Sequence, residues 1–183
     1  MVASAGALVV VIVAAVGMAL LSRGPAEVAP DPVEPAPRTV AFVYAAPMDA
    51  AGDAQPVVVE SVEVASPSAE EAFDAFVAEL TARGALPGPV TILGFERVDD
   101  RLIATVELIP TSADGATDRW YQAFQGSAGA RATEIIVLWN LLQPDATGAW
   151  PDALRLVFRG RPIEPLDHID LSGLITRSDV RHR

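Results

Sequence analysis

The sequence predicts an α+β domain, a mostly antiparallel sheet with two helices packed on it, preceded by one transmembrane helix. Three observations support this prediction: an uncharged apolar run at 1–21, paired stretches in which apolar and polar residues alternate, and two apolar stripes with helical spacing. Alternation with a period of two is typical of half-buried strands, and three- and four-residue spacing is typical of amphipathic helices. The expected order after the transmembrane helix is β-β-α-β-β-α-β-β, which favours helices on one face of the sheet.

The N-terminal run at 1–21 carries no charged side chain, and Arg23 is the first residue that does. About 20 apolar residues, at about 1.5 Å each, are long enough to cross the roughly 30 Å hydrocarbon core of a bilayer. A cleaved secretory signal is the alternative, but the run is long for a signal core and no Lys or Arg precedes it. We therefore expect a retained single-pass anchor in the lipid bilayer. Ala15 and Ala19 form a small-xxx-small pair, which either packs on a partner helix or reflects the alanine-rich composition.

Residues 22–38 form a proline-rich linker that cannot build a hydrophobic core. Such a stretch favours the polyproline II conformation at about 3.1 Å per residue, so it spans up to roughly 50 Å. We interpret it as a spacer or as a segment that lies along a neighbouring protein, with an SH3-type ligand as the alternative. The candidate partner contacts in this linker are Pro30, Pro32 and Pro35.

The composition of the 183-residue chain restricts its chemistry. The part beyond the linker, about 140 residues, is long enough for one domain with a hydrophobic core. The chain has no cysteine, which excludes disulfides, thiolate metal sites and thiol nucleophiles. Its net charge of −11 argues against nucleic acid as a partner and against docking on anionic lipid head groups.

The first half of the domain predicts two strands and a helix. The segments 39–45 and 56–65 are rich in Val and predict the strands. Ser66 and Pro67 are expected as the N-cap and the first-turn proline of the helix, and Gly84 as its left-handed C-cap. The buried face of this helix is predicted to consist of Ala69, Ala72, Phe73, Phe76, Val77 and Leu80.

The clearest hairpin in the sequence joins strands at 90–98 and 101–109 through Asp99 and Asp100. Adjacent carboxylates also occur in acid–base sites. At the tip of a hairpin, however, they are typical of a solvated turn, and that is our interpretation.

The loop at 111–127 contains the aromatic residues Trp120, Tyr121 and Phe124. This cluster either packs down as part of the fold or contacts a partner, and we favour packing. Trp120 and Tyr121 are the candidate partner contacts of this segment.

The segment 129–142 predicts the second helix, which Pro144 ends. Its buried stripe is predicted to consist of Ala132, Ile135, Ile136, Trp139 and Leu142. The remaining predicted pieces are a strand at 154–159, a turn at Gly160 and Arg161, short extended pieces at 163–166 and 168–171, and a polar tail without pattern at 178–183.

The segment 154–177, LRLVFRGRPIEPLDHIDLSGLITR, resembles the closing segment of GerMN domains, the module of the sporulation and spore-germination protein GerM. The residues that lie where the family's closing motif would are His168, Ile169, Asp170, Leu171, Ser172 and Arg177. The stretches VAFVYA, LIATVELIP and EIIVLWNLLQP are similar to other parts of the family in the same order, so the resemblance covers 39–177. One departure is Trp139-Asn140-Leu141, which stands where the family usually has Asn-Thr-Leu.

The resemblance implies a membrane-attached or secreted bacterial domain on the outer side of the cytoplasmic membrane, linked to cell-envelope and spore-cortex processes. It therefore implies an extracytoplasmic (periplasmic) orientation, which Arg23 alone leaves open. No catalytic residues are established for this module, so the resemblance implies a topology and a fold but no active site.

The sequence contains no pattern that predicts catalytic, cofactor-binding or metal-binding residues. Only two histidines are present, His168 and His182, so a Ser-His-Asp triad has few candidates. His168 lies between Asp167 and Asp170, but one histidine beside two acids falls short of a supported zinc site, and we interpret it as structural. A glycosidase-type pair among the 24 acidic residues stays open, since nothing singles out two of them.

The sequence thus predicts a non-catalytic, membrane-anchored accessory subunit of a multi-subunit bacterial membrane complex, such as a photosynthetic reaction-centre, respiratory or secretion assembly. Its expected partners are other subunits of that complex, reached through the anchor and the linker, with the GerMN-like domain on the extracytoplasmic face. The alternative hypothesis is an envelope protein that binds peptidoglycan through a surface groove. An envelope hydrolase is the third and least favoured hypothesis.

Overall fold

The computed structural model describes residues 37–165 and 168–182, which fall within one compact unit, Pro35–Arg183. Within those ranges, no helix is both long and apolar enough to cross a membrane. The predicted anchor at 1–21 lies outside the described residues. So do five candidate partner contacts: Ala15, Ala19, Pro30, Pro32 and Pro35.

The domain has an α+β fold, as the sequence predicts. The first four strands and the two long helices follow the expected order, but the predicted loop at 111–127 contains a 3₁₀ turn and a short helix, and a further short helix lies at Arg177–Val180, so the described residues form four helices where two were expected. The elements in chain order are β1 (Arg38–Ala45), β2 (Val57–Ala65), α1 (Ala69–Arg83), β3 (Val90–Val98), β4 (Arg101–Leu108), a 3₁₀ turn (Gly115–Thr117), α2 (Arg119–Ala123), α3 (Ser127–Leu142), β5 (Ala153–Phe158), β6 (Arg161–Pro162), β7 (Leu174–Thr176) and α4 (Arg177–Val180).

The described strands form two separate sheets, where the sequence predicts one. β1 and β2 pair with each other alone, and the other five strands form a sheet with the order β3-β4-β5-β6, in which β7 also pairs with β5. β4 and β5 run parallel, from Ile103 opposite Ala153 to Leu108 opposite Phe158, whereas the other pairs are antiparallel. A parallel pair requires a crossover connection, which α2 and α3 supply.

The buried face of α1 fastens this helix to the core. Ala69 in the first turn is only half-buried. Phe73 and Phe76 both meet Trp150 edge to face, with ring centroids 5.6 and 5.5 Å apart. Full burial of a Phe side chain contributes about 1.5–3 kcal/mol, so these contacts hold α1 against the segment that leads into β5. The rest of the predicted face is confirmed, with buried Ala72, Phe73, Phe76, Val77 and Leu80.

The N-cap of α1 is Ser68, so the prediction of Ser66 is wrong by two residues. Ser68 Oγ accepts the backbone N–H of Glu71 at 3.1 Å, while Ser66 Oγ donates to the Ser68 carbonyl oxygen at 3.0 Å. Pro67 lies before this cap and outside the helix, so its prediction as the first-turn proline is also wrong. Gly84 ends α1 in the left-handed conformation with φ 62°, as predicted.

The buried face of α3 is broader than the predicted stripe and is centred elsewhere. Ala132, Ile136 and Trp139 of that stripe are only half-buried. Helix α3 packs against both β1 and β5, and its polar residues Glu134 and Asn140 are buried. The prediction assumed that polar residues face the solvent, and it therefore chose the wrong face of the helix. The buried residues of α3 are Ala130, Thr133, Glu134, Ile135, Val137, Leu138, Asn140, Leu141 and Leu142.

Neither predicted extended piece after β5 forms a strand, since the described parts, 163–165 and 168–171, are irregular. Asp170 builds a local turn there: its Oδ1 accepts the N–H of Ser172 at 2.9 Å and the hydroxyl of Ser172 at 2.5 Å. Asx turns of this kind compete with strand pairing. The last strand, β7, therefore begins only after the turn.

The predicted polar tail at 178–183 contains structure, because its described part forms most of α4. Thr176 and Asp179 form a capping box at the start of this helix. Arg177 and Arg181 each donate, at 2.6 Å, to a carbonyl oxygen just beyond the end of α3. Helix α4 is thus fixed against the segment that follows α3.

Candidate functional site

The outer edge of β1 is closed by two side-chain amides of the α3 region. Phe42 N–H donates to Gln143 Oε1 at 2.7 Å, and Gln143 Nε2 donates to the Phe42 carbonyl oxygen at 2.6 Å. Asn140 makes the same pair of bonds with Tyr44, both at 2.9 Å. A carboxamide carries a donor and an acceptor as a peptide group does, so the two side chains stand in for an additional strand.

The rest of this edge is closed by backbone and by a buried phenol. Val40 exchanges two backbone hydrogen bonds with Thr147, at 3.0 and 3.2 Å. The hydroxyl of Tyr44 donates to Asp145 Oδ2 at 3.0 Å. Burial, followed by this hydrogen bond, raises the pKa of Tyr44 well above its ordinary value, so the phenol stays protonated. The peptide groups of β1 that point away from β2 are therefore satisfied inside the domain.

The outer edge of β2 is open, because no described residue pairs with its backbone. The first residues of the strand, Val57, Val58 and Val59, are 45%, 48% and 59% exposed, and we call them the valine edge. Met48, in the loop between β1 and β2, is 56% exposed. Unpaired peptide groups beside exposed apolar side chains are the features that bind an additional strand.

The charges on β2 are already paired within the domain. Glu60 forms an ion pair with Arg83 at the end of α1, and Glu63 pairs with Arg38 at 3.2 Å. Exposed ion pairs of this kind contribute about 0–1 kcal/mol to stability. These pairs screen the two carboxylates only in part, since the side chains of Glu60 and Glu63 are still 55% and 65% exposed, so an approaching partner meets apolar side chains, peptide groups and two acidic groups.

The two predicted partner contacts in the loop after β4 differ in exposure: Trp120 is buried and Tyr121 is exposed. Trp120 is fully buried, and its Nε1 donates to the Pro89 carbonyl oxygen at 3.0 Å, so the prediction that it contacts a partner is wrong. It stacks on Phe124 with ring centroids 6.0 Å apart, which confirms packing for these two residues. Tyr121 is 51% exposed, and a partner contact there stays a prediction.

Tyr121 borders an apolar recess of about 130 Å³. The ring of Phe158, one of its lining residues, also lies under the guanidinium of Arg159, 5.3 Å from the ring centroid. Such a recess has room for about one apolar side chain. It is lined by Leu108, Trp120, Tyr121, Phe124, Gln125, Phe158 and Ile163.

Asp118 fixes the segment around this recess, and the sequence interpretation missed it. Its fully buried carboxylate accepts the N–H groups of Trp120 at 2.9 Å, Tyr121 at 3.3 Å and Thr111 at 3.1 Å. Arg159 approaches the same carboxylate at 4.0 Å. The available signal was an aspartate directly before a short helical segment, which is the preferred N-cap residue.

The residues that the sequence analysis weighed as metal or acid–base candidates are His168, Asp99 and Asp100. Among the described residues, no group of three or more His, Asp or Glu side chains is placed to hold a metal ion. His168 is exposed. Asp99 and Asp100 form the predicted turn with φ values of 48° and 63°, and both are exposed.

A second concave feature, an open cleft of about 610 Å³, lies where the end of α1, the α1–β3 loop and the loop after β4 meet. We call it the Arg119 cleft, because Arg119 is its one charged lining residue. The lining residues are Leu80, Thr81, Gly84, Leu86, Gly88, Pro89, Thr111, Thr117 and Arg119.

No family model matches this chain, and comparisons with curated proteins and with solved structures found no match either. The resemblance to GerMN domains and the orientation that it implies therefore stay predictions. The surface chemistry of the described domain is the remaining guide to its function.

Proposed function

We propose that this chain is a non-catalytic accessory subunit of a bacterial membrane complex, held by an anchor at 1–21, with a GerMN-like domain on the extracytoplasmic face. We propose further that the domain docks on its partner through the valine edge. The observation that supports docking is the contrast within one hairpin. β1 is closed by Asn140 and Gln143, whereas β2 leaves Val57, Val58 and Val59 exposed beside unpaired peptide groups.

The occupant that fits the valine edge is an extended segment of a different protein. Strand addition supplies main-chain hydrogen bonds for affinity, and alternate side chains for specificity. Two copies of β2 paired antiparallel would bring Glu60 and Glu63 of both copies into one stretch, and like charges across a strand pair are destabilising. A neutral or basic partner strand with apolar residues at alternate positions avoids this repulsion.

The use of the buried polar groups also supports a scaffold role. Asn140 and Gln143 bond the backbone of β1, and Asp118 bonds the backbone of the loop after β4. Each of these side chains is fully buried. These buried polar side chains therefore bind backbone groups and hold them in position.

Purification of the full-length chain from its native membrane in mild detergent tests the proposal. The wild-type chain is expected to bring stoichiometric partner subunits, and Val59→Glu to lose them, because a carboxylate on the open edge opposes burial. Leu93→Glu is the matched control, since Leu93 is 53% exposed on an edge strand of the other sheet. A wild-type chain that purifies alone, or a Val59→Glu chain that keeps its partners, contradicts the proposal.

Binding of peptidoglycan is the second candidate function, and the Arg119 cleft favours it. The cleft combines one guanidinium with the hydroxyl groups of Thr81, Thr111 and Thr117, a set that suits a polar polymer with carboxylates. Pull-down of the full-length, detergent-solubilised chain on purified cell-wall sacculi tests this function. A chain that stays in the supernatant counts against it.

A further inference from the structure

The guanidinium of Arg119 is uncommitted within the described part of the chain. No hydrogen bond or ion pair joins it to a described residue, whereas Arg83, for comparison, pairs with both Glu60 and Glu79. The backbone beneath it is fixed, because Arg119 N–H donates to Thr111 Oγ1 at 2.8 Å at the start of α2. The five N–H donors of a guanidinium are thus presented from an anchored position at the cleft.

The three threonines of the cleft divide into donors and acceptors. Thr111 Oγ1 accepts the Arg119 N–H, so its own hydroxyl proton remains to be donated. Thr81 Oγ1 donates to the Val77 carbonyl oxygen at 2.9 Å, and Thr117 Oγ1 lies 2.7 Å from Ser112 Oγ as the donor. Lone pairs on Thr81 and Thr117 are therefore free to accept hydrogen bonds from a ligand.

The floor of the cleft is shaped by Gly88, which lies directly on a buried indole. A Cβ at this position would stand 2.6 Å from Trp120 Nε1, so only glycine allows the loop to approach so closely. The same indole N–H bonds the carbonyl of the next residue, Pro89. Leu86, which is 8% exposed, adds a small apolar surface. The cleft thus has a fixed floor, one cation, hydroxyl donors and acceptors, and a small apolar surface.

We infer that the Arg119 cleft binds the C-terminal carboxylate of a short peptide, and this inference rests on the second candidate function. Arg119 takes the carboxylate in a bidentate pair, with the Thr111 hydroxyl as a further donor. Thr81 and Thr117 accept from the peptide N–H groups, and a small side chain such as the methyl of alanine faces Leu86. A single guanidinium in a chain of net charge −11 favours this singly charged group over a phosphate dianion.

Two sources carry this chemistry, the stem peptide of peptidoglycan and the C-terminus of a protein. Stem peptides end in D-alanine, so N-acetyl-D-alanyl-D-alanine is the probe for the first source, and the L,L isomer is the probe for the second. The D,D peptide with a C-terminal amide differs from the first probe only by loss of the carboxylate. It measures the contribution of the ion pair to Arg119.

Titration calorimetry on the full-length chain in detergent tests the inference. We expect the D,D acid to bind, its amide to bind at least about 10-fold more weakly, and Arg119→Gln to lose about 10-fold or more in affinity for the acid, as for a charged hydrogen bond. Arg101→Gln is the matched control. Arg101 is exposed, forms no ion pair or hydrogen bond with another described side chain, and lies at the far tip of the β3–β4 hairpin. It is expected to leave affinity unchanged.

The outcomes distinguish carboxylate binding at the Arg119 cleft from peptidoglycan binding by the chain as a whole. Equal or tighter binding of the L,L acid supports the carboxylate site but overturns the stem peptide as its source. Absence of binding by every acid, or equal binding by wild type and Arg119→Gln, overturns the site. If Arg119→Gln still binds sacculi as well as wild type does, peptidoglycan binding stands and only the assignment of this cleft fails.

Discussion

The two outer edges of the β1–β2 hairpin face different surroundings within the described domain. β1 meets the amides of Asn140 and Gln143 and the backbone of Thr147, so its outward peptide groups are paired. β2 meets none of these, and its valine edge is exposed. β-branched and aromatic residues make up more than half of each strand, so strand propensity does not explain the difference. It comes from α3, which follows about 60 residues later in the chain and lies along one edge only.

The largest effect is expected from breaking the closed edge at its most buried point. Asn140→Ala leaves the N–H and the C=O of Tyr44 unpaired inside the domain, at about 1–3 kcal/mol for each group. We therefore expect a large loss in the free energy of unfolding, measured by chemical denaturation, together with faster hydrogen exchange at the Tyr44 amide. Gln122→Ala, at an exposed position, is the control and is expected to change stability little. A loss for Asn140→Ala below about 0.5 kcal/mol contradicts a stabilising role of this amide.

A smaller effect is expected from Gln143→Glu, which keeps the shape of the side chain. The carboxylate still accepts from the N–H of Phe42, but it cannot donate to the Phe42 carbonyl oxygen, and burial raises its pKa. The free energy of unfolding of the variant, relative to wild type, is therefore greatest at low pH, where the introduced carboxyl group is protonated and can donate. It falls as pH rises through the folded-state pKa of that group. Urea unfolding at pH 4 and pH 8 measures this difference relative to wild type. An equal deficit at both pH values would show that donation to Phe42 is unimportant.

The closed edge also gives the protein an alkaline sensitivity. Burial first, and then the hydrogen bond to Asp145, raises the pKa of Tyr44 above its ordinary value of 10.0. Above about pH 10 the unfolded chain releases this proton while the folded chain keeps it, so stability present at lower pH is lost as pH rises. The slope approaches about 1.4 kcal/mol per pH unit. Tyr44→Phe should flatten the slope and Tyr121→Phe should keep it; the reverse result would assign the effect elsewhere.

The smallest stability effect is expected at the open edge. Val59→Glu places a charge on a side chain that is already 59% exposed, so the free energy of unfolding should change by less than about 0.5 kcal/mol. Thermal unfolding of wild type and variant measures this directly. A large destabilisation would show that the valine edge is covered inside the protein, and it would remove the contrast between the two edges.

The sequence predicted the elements whose signals are local. Alternation located the β3–β4 hairpin, and the spacing of Phe73, Phe76 and Leu80 located the buried face of α1, as the structure confirms. Ser68 and Ser66 are equally good N-cap residues by type, so local pattern alone placed the helix start two residues early. Local signals thus fix the existence of an element better than its first residue.

The features that the sequence did not predict depend on contacts between distant segments. Asn140 on α3 and Gln143 at its C-cap are polar residues, which usually indicates a solvent-exposed position, yet both are buried against β1. The parallel pairing of β4 with β5 is decided by where the crossover returns, which no periodicity reveals. The Arg119 cleft draws on three separate loops and helix ends, so its residues share no spacing in the sequence.

The position of β1 in the chain bears on how the domain responds to mechanical load. β1 begins at Arg38, the last residue of the predicted linker, so a force applied through the proposed anchor would enter the domain at this strand. It is held by β2 on one side and by the α3 amides and Thr147 on the other, and α4 secures the segment that carries Gln143. Removal of β1 by such a force would have to break two rows of hydrogen bonds, and α4 would act as a brace for one of them.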